Sequence, residues 1–291
     1  MTKIGILAWG AAADVLYATP IVRYIRQLHP QAHLTWYIRD KFAELVEHNP
    51  YIDAVHAEAL PGGFDNRQEA EVVMDRKLLE LANAENDHVY DLQYWPRFNN
   101  FYEVPSEDFV SLRARNAGLD PAAITDRRVV LPWRDTDMEA ALLFLQENNL
   151  VQSQDKFITC NHISYAASAV WPYSNYEDLV AELAPRNISV IFTGAPNEPL
   201  PEGGIDARGM PYVAWGVLIN LSDCWLGLDS GAVALAAAGS TPMIKLHSPD
   251  FPINKTGIRA MGLRTQDIME LNPAPSVEAL ADLITHQVNH G

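Results

Sequence analysis

Short apolar runs alternate along the chain with longer stretches in which apolar residues recur every three or four positions. Lys3 to Ala8, K-I-G-I-L-A, is the first run and has the length of a strand. From Asp14 to Leu28 the apolar positions Val15, Ala18, Val22 and Ile25 share one face of a helix, which Pro30 ends. The pattern then predicts strands over 33–38 and 52–56, a short helix over 41–48, a polar amphipathic helix over 68–84 and a strand over 88–93. Helices over 106–117 and 135–148 follow, with a strand over 128–131 between them. After the polar segment 148–155 the alternation starts again. Strands are expected over 157–161, 189–193, 224–228 and 243–246, and helices over 176–184, 213–221 and 232–238. Ser276 is a fitting N-cap for a last helix over 277–288.

Strand–helix alternation of this kind predicts an α/β chain with parallel sheets flanked by helices. Two series with the same grammar predict two Rossmann-like domains, 1–152 and 153–291, with a ligand held in the cleft where the sheets face each other. The last helix, 276–288, can pack back on the first domain.

Composition narrows the function. With 291 residues, 48% of them hydrophobic and 20% charged, the chain can build a sizeable core and is not a disordered one. A net charge of -16 disfavours a life on nucleic acid or on anionic lipid. Cys160 and Cys224 both fall in predicted strands and read as small buried hydrophobes, not as a disulfide or a metal site. The first apolar run is too short for a signal peptide. The most apolar window, 212–239, is interrupted by Asn220, Asp223 and Asp229 and fails as a membrane span. These features describe a cytoplasmic protein, with peripheral membrane contact left open.

The chemistry-bearing residues cluster after predicted strands. Asp229-Ser230-Gly231 follows the strand 224–228 and opens the small-residue helix 232–238. Such a turn is common capping chemistry, and it is equally a place where free N–H groups and a glycine can receive a phosphate. Asp14 follows the small loop Gly10-Ala11-Ala12-Ala13. It reads either as a helix-start carboxylate or as a general base at the end of the first strand. Glu198, in T-G-A-P-N-E, is a solvated loop acid or an acceptor for ribose hydroxyls. Ser164 and Tyr165, after the strand 157–161, make a polar loop or bind phosphate oxygens. No G-x-G-x-x-G, P-loop, H-E-x-x-H, C-x-x-C or G-x-S-x-G spacing occurs, so nicotinamide, metal and serine-hydrolase chemistry have no support.

Together these segments resemble glycosyltransferase family 9, the ADP-heptose:lipopolysaccharide heptosyltransferase group. The carrying residues are G-I-L-A-W-G-A-A-A-D-V-L-Y-A-T-P at 5–20, N-P-Y-I-D at 49–53, W-P at 171–172, T-G-A-P-N-E at 193–198 and G-L-D-S-G-A-V-A-L-A-A-A-G-S-T-P at 227–242. The resemblance implies a GT-B fold and inverting sugar transfer from a nucleotide sugar to a hydroxyl on a glycan or small acceptor, with no metal or other cofactor. It implies Asp14 as catalytic base, Glu198 as the ribose ligand and Asp229, Ser230 and Gly231 as the diphosphate and sugar-binding turn. Ser164 and Tyr165 fall near the phosphates. Ala169 and Ala234 stand where the family usually has Lys and His, and Ala13 where it has Gly. Lys255 and Arg208 are candidates to replace the missing cation. The rival readings are a non-catalytic nucleotide-sugar-binding protein, a nucleotide-sugar epimerase, and a glycosyltransferase acting on modified DNA through Arg113, Arg115, Arg127 and Arg128.

Overall fold

The first strand, β1 (Lys3–Leu7), is buried along all but its first residue. A strand buried on both faces must be apolar throughout, and a parallel sheet covered by helices on both sides imposes that burial. β1 pairs in parallel with β2 (His33–Arg39) and β4 (His88–Asp91), and β2 pairs with β3 (Ala54–Glu58), giving the order β3-β2-β1-β4. The computed structural model describes residues 1–63, 67–93, 108–164, 171–247 and 268–290. They fall into two units, one up to Pro132 and one from Trp133 onward.

In the first unit, α1 (Ala12–Leu28) follows β1 and buries Val15, Leu16, Ala18, Ile21, Val22 and Ile25. Right-handed crossovers put the helix after β1 and the helix after β3 on opposite faces, because the chain steps along the sheet in opposite directions. The second of these, α2 (Arg67–Glu85), brings Met74, Leu78 and Ala82 against Leu7, Trp9 and Tyr37. α3 (Phe109–Asn116) packs on α1, with Asp108 accepting the Ser111 N–H as its cap at 2.8 Å.

Pro20 lies inside α1 and has no N–H for the Leu16 carbonyl. The Thr19 hydroxyl donates to that carbonyl instead, at 2.7 Å, and accepts from the Val130 N–H at 2.9 Å. The T-P pair thus repairs the helix and ties down the strap 128–131. That strap makes no strand ladder, contrary to the expected strand there. Its backbone hydrogen bonds include the Val130 N–H to Thr19, the Arg128 carbonyl from Arg23 at 3.1 Å and the Arg128 N–H to Asp126 at 3.2 Å.

The second unit is a six-stranded parallel sheet in the order β10-β9-β8-β5-β6-β7. Its strands are β5 (Lys156–Asn161), β6 (Ile188–Phe192), β7 (Ile205–Asp206), β8 (Cys224–Gly227), β9 (Met243–Leu246) and β10 (Ile268–Leu271). One face is covered by α5 (Tyr173–Leu183) and α8 (Val277–His290), whose Leu179, Leu183, Leu280, Ile284 and Val288 share a core with Ile158, Val190 and Leu226. On the other face α4 (Asp135–Glu147) and α6 (Tyr212–Leu221) bury Ala141, Leu145, Val217 and Leu218 with Phe157 and Ile191. The short α7 (Gly231–Ala236) packs beside α6.

The expected boundary at residue 152 therefore differs from the observed one at 132–133, because α4 belongs by packing to the second core. The last helix belongs to that core too, where its apolar face meets α5. The expected helix 41–48 is a 3₁₀ turn at Asp40–Leu45. Cys160 and Cys224 are free and buried, as their strand positions implied, and burial pushes both thiols up and out of nucleophilic range.

Replacing Thr19 with Val keeps the shape but orphans the Leu16 carbonyl and the Val130 N–H. Denaturant unfolding should show a loss of about 1–3 kcal/mol. An unchanged midpoint would mean that water repairs both groups.

Candidate active site at the two strand-order reversals

In each sheet the chain winds outward from an inner strand, then returns to that strand's other side. The reversal falls between β1 and β4 in the first sheet, and between β5 and β8 in the second. Loops leaving the carboxyl ends of two such neighbours go to opposite faces, and the gap between them is where open α/β sheets hold ligands. Asp14 follows β1, Ser164 follows β5, Glu198 follows β6, Asp229, Ser230 and Gly231 follow β8, and Arg208 follows β7, so these residues all lie after the carboxyl ends of strands.

At the first edge Asp14 sits in the first turn of α1, directly after β1. Its Oδ2 accepts the Ala11 N–H at 3.0 Å. Its Oδ1 is in a salt bridge with Arg113, which also donates to the Asp14 main-chain oxygen. Arg113 is almost fully buried, whereas the Asp14 side chain keeps 28% of its surface exposed. The carboxylate is held from within and open outward. A Cβ on Gly10 would lie 2.7 Å from Asp14 Oδ2, so only glycine lets the loop close under the carboxylate. The flanking Ala11, Ala12 and Ala13 carry nothing larger than a methyl. Trp9 is turned away from the loop: it is buried in the α2 core, and its indole N–H donates to Asp75 at 3.2 Å.

At the second edge the loops after β5 and β8 are joined directly. The Ser164 hydroxyl donates to the Asp229 carbonyl. The Ser230 hydroxyl donates to Asn161 Oδ1 at 2.6 Å and accepts the Ala232 N–H at 3.3 Å, so it is also the N-cap of α7. Asn161 reaches the third loop as well, donating to the Thr193 carbonyl at 3.3 Å. Asp229 is paired with the fully buried Lys245 of β9, Oδ1 to Nζ 2.7 Å. Ser164, Asp229, Ser230 and Gly231 are thus one assembly.

Glu198 lies on the loop after β6 and is buried. Gly194 makes room for it, since a Cβ there would fall 2.0 Å from Glu198 Oε2. The loop is braced from both sides. His162 Nε2 donates to the Pro199 carbonyl at 2.9 Å, and Arg208 donates to the Glu198 carbonyl. Because that carbonyl can only accept, His162 carries its proton on Nε2. Burial lowers the His162 pKa, the Pro199 hydrogen bond opposes this, and the Arg208 charge lowers it further. Arg208 is itself clamped by Asp206, with bonds of 2.8 Å to each carboxylate oxygen.

Lys255 and Tyr165, and the position of Ala169, lie outside the described residues. Arg208 is described, but as a brace for the Glu198 loop. Asn161, His162 and Lys245 enter the site without having been assigned a role from sequence, and Arg113, weighed there only as part of a basic patch for DNA, enters it as the partner of Asp14. Lys245 had a readable signal: a lysine inside an otherwise apolar strand must be buried and paired. Arg113 had none, because it lies 99 residues from Asp14 in sequence. Three of the arginines weighed as a basic face for DNA are engaged by acids. Arg113 serves Asp14, Arg127 pairs with Asp108 at 2.9 Å and Arg128 with Asp126 at 2.7 Å. Among the described residues no group of three or more His, Cys, Asp or Glu side chains could hold a metal ion. No helix among them is long and apolar enough to cross a membrane.

No family model and no curated protein matches the chain. Solved structures do. A glycosyl transferase family 9 protein from Veillonella parvula superposes with a TM-score of 0.77 at 15% identity, covering 100% of this chain and 98% of its own. The chain has the GT-B fold of these glycosyltransferases. Escherichia coli ADP-heptose lps heptosyltransferase II matches with a TM-score of 0.62 at 14% identity, over 99% of this chain and 98% of that one. E. coli heptosyltransferase WaaC, solved with ADP-2-deoxy-2-fluoro heptose, gives 0.62 at 18% identity, over 97% and 98%.

His162 makes stability depend on pH. Its folded pKa lies below the unfolded value of about 6.5, so the unfolded chain takes the proton first as pH falls. Stability from the neutral ring is present above pH ~6.5 and drains away below it. His162→Gln, which can still donate to Pro199, should flatten the decline in unfolding free energy between pH 7.5 and 5. Parallel profiles for the two proteins would show that His162 does not titrate in this way.

Proposed function

We propose that this protein is an inverting glycosyltransferase that moves a sugar from a nucleotide-sugar donor to a hydroxyl on a glycan or small acceptor. The observation that carries the reading is the coincidence of Asp14 and the Ser164–Asp229–Ser230 assembly with the strand-order reversals of a fold shared, end to end, with glycosyltransferases. The ADP-2-deoxy-2-fluoro heptose of the WaaC complex supports the donor class proposed here, a sugar esterified to a nucleoside diphosphate.

In this reading the second unit holds the donor. Glu198 accepts hydrogen bonds from the ribose hydroxyls, while the main-chain N–H groups of Ser230 and Gly231 meet the diphosphate and the Ser164 hydroxyl braces that turn through the Asp229 carbonyl. Tyr165 and Lys255 remain candidates beside them. Preorganised donors aimed at developing charge are each worth roughly 3 kcal/mol. The first unit supplies the base. Asp14 takes the proton from the acceptor hydroxyl as its oxygen bonds to the anomeric carbon. The bond from that carbon to the diphosphate oxygen breaks, and its electron pair leaves with the nucleoside diphosphate. Attack from the side opposite the leaving group inverts the anomeric centre. Arg113 keeps the carboxylate aimed, and the methyl-lined loop 11–13 leaves space for the acceptor. No metal is assigned a role.

The test is nucleotide release, the nucleoside diphosphate from ADP-, UDP- and GDP-sugars or CMP from CMP-sugars, with and without a chelator, after a thermal-shift screen has identified the donor. Asp14→Asn preserves shape and an acceptor for Arg113, so it should melt within a few degrees of wild type. It should lose about 10²–10⁴-fold in turnover, and the chelator should change nothing. Wild-type turnover by Asp14→Asn would remove Asp14 as base, and full inhibition by the chelator would remove the metal-free mechanism. Stabilisation by a nucleotide sugar without turnover would favour a binding protein, and isomerised donor an epimerase.

A further inference from the structure

A turn that is to receive a diphosphate carries a carboxylate of its own. Asp229 precedes Ser230 and Gly231, so a doubly charged ester at their N–H groups would face a like charge one or two residues away, at about 3.3–3.8 Å of chain per residue. At an effective dielectric near 20 that repulsion costs tenfold or more in affinity. Lys245 answers it. It lies in β9, a strand flanked on both sides by β8 and β10, and its register partners are Gly227 and Glu270. Its side chain is 0% exposed, and its ammonium meets Asp229 Oδ1 at 2.7 Å. Glu270 is engaged by His247 at 3.0 Å. A lysine buried in a sheet interior is costly, and an apolar residue of its size would pack there more cheaply. Burial directed at a carboxylate beside the ligand turn gives the charge a use.

We propose that Lys245 is the charge-compensating, positioning residue of the donor site: it holds Asp229 as a neutral pair, so that the turn after β8 accepts an anionic diphosphate. This rests on the nucleotide-sugar reading and adds to it the origin of the positive charge, which the Ala169 position does not provide. Lys245 does not touch the ligand. It acts through Asp229, whose paired carboxylate can accept from sugar hydroxyls without repelling the leaving group.

Calorimetric titration with ADP, UDP, GDP and inorganic pyrophosphate tests this on the full chain, with melting curves as the folding control. Lys245→Met should weaken whichever diphosphates wild type binds by about tenfold or more, and the matching uncharged nucleoside by less than about threefold. Adding Asp229→Asn to Lys245→Met removes the like charge and should restore diphosphate affinity to within about threefold of wild type. A merely structural role would predict a further loss. Should Lys245→Met not fold, Asp229→Asn alone decides: it leaves a net positive turn, so diphosphate affinity should rise, and a fall overturns the proposal. Wild type that binds a diphosphate while Lys245→Met binds it equally well overturns the role of Lys245 alone. Wild type that binds none of the four probes overturns the nucleotide-sugar reading, and this proposal with it.

Discussion

Reversal of strand order in a parallel sheet is the constraint on which the rest of this molecule depends. Right-handed crossovers leave the chain no other way to cover both faces of β1, or of β5 and β8, and the reversal forces neighbouring loops apart at one edge. Everything polar and buried in the candidate site grows from those edges. Asn161 is the hinge of the second one: a single side chain at the end of β5 reaches the loops after β6 and β8 together. The fold makes the gap, and side-chain hydrogen bonds hold its rim.

The electrostatics follow one rule across both units. The chain carries a net charge of -16, yet Asp14 and Asp229 are each met by a cation from a different element. Arg113 of α3 holds Asp14, Lys245 of β9 holds Asp229, and Arg208 clamps Asp206 beneath the Glu198 loop. Two of these cations, Arg113 and Lys245, are almost fully buried. Removing a partner from such a pair strands a charge, which costs more than the pair contributes. Aim and local neutrality therefore come as one device. It lets an acidic protein keep a partly exposed carboxylate at one sheet edge and a paired one at another.

The strands and most helices were legible because continuous apolar runs and 3.6-residue spacing are direct consequences of burial. β7 and β10 were not, being too short and too weakly patterned to stand out. The motif-bearing loops were found because glycine and small residues mark places where a chain turns sharply, and Gly10 and Gly194 indeed sit under Asp14 and Glu198. What the sequence hid was pairing. Nothing local ties Arg113 to Asp14, and the strap 128–131 looked like a strand because its apolar residues cover α1 without joining a sheet. The unit boundary was hidden for the same reason, since α4 is an ordinary amphipathic helix whose partner is decided by packing.

The account stands or falls on whether a nucleoside diphosphate settles at the edge where β5, β6 and β8 end. Amide chemical-shift mapping of the isotope-labelled chain during titration with ADP or UDP reads this directly. The account predicts saturable shifts concentrated at Asn161–Ser164, Gly194–Glu198 and Leu228–Ala232. Shifts that instead gather at the amino ends of the strands, around Asp155, Asn187 and Gly203, would contradict it.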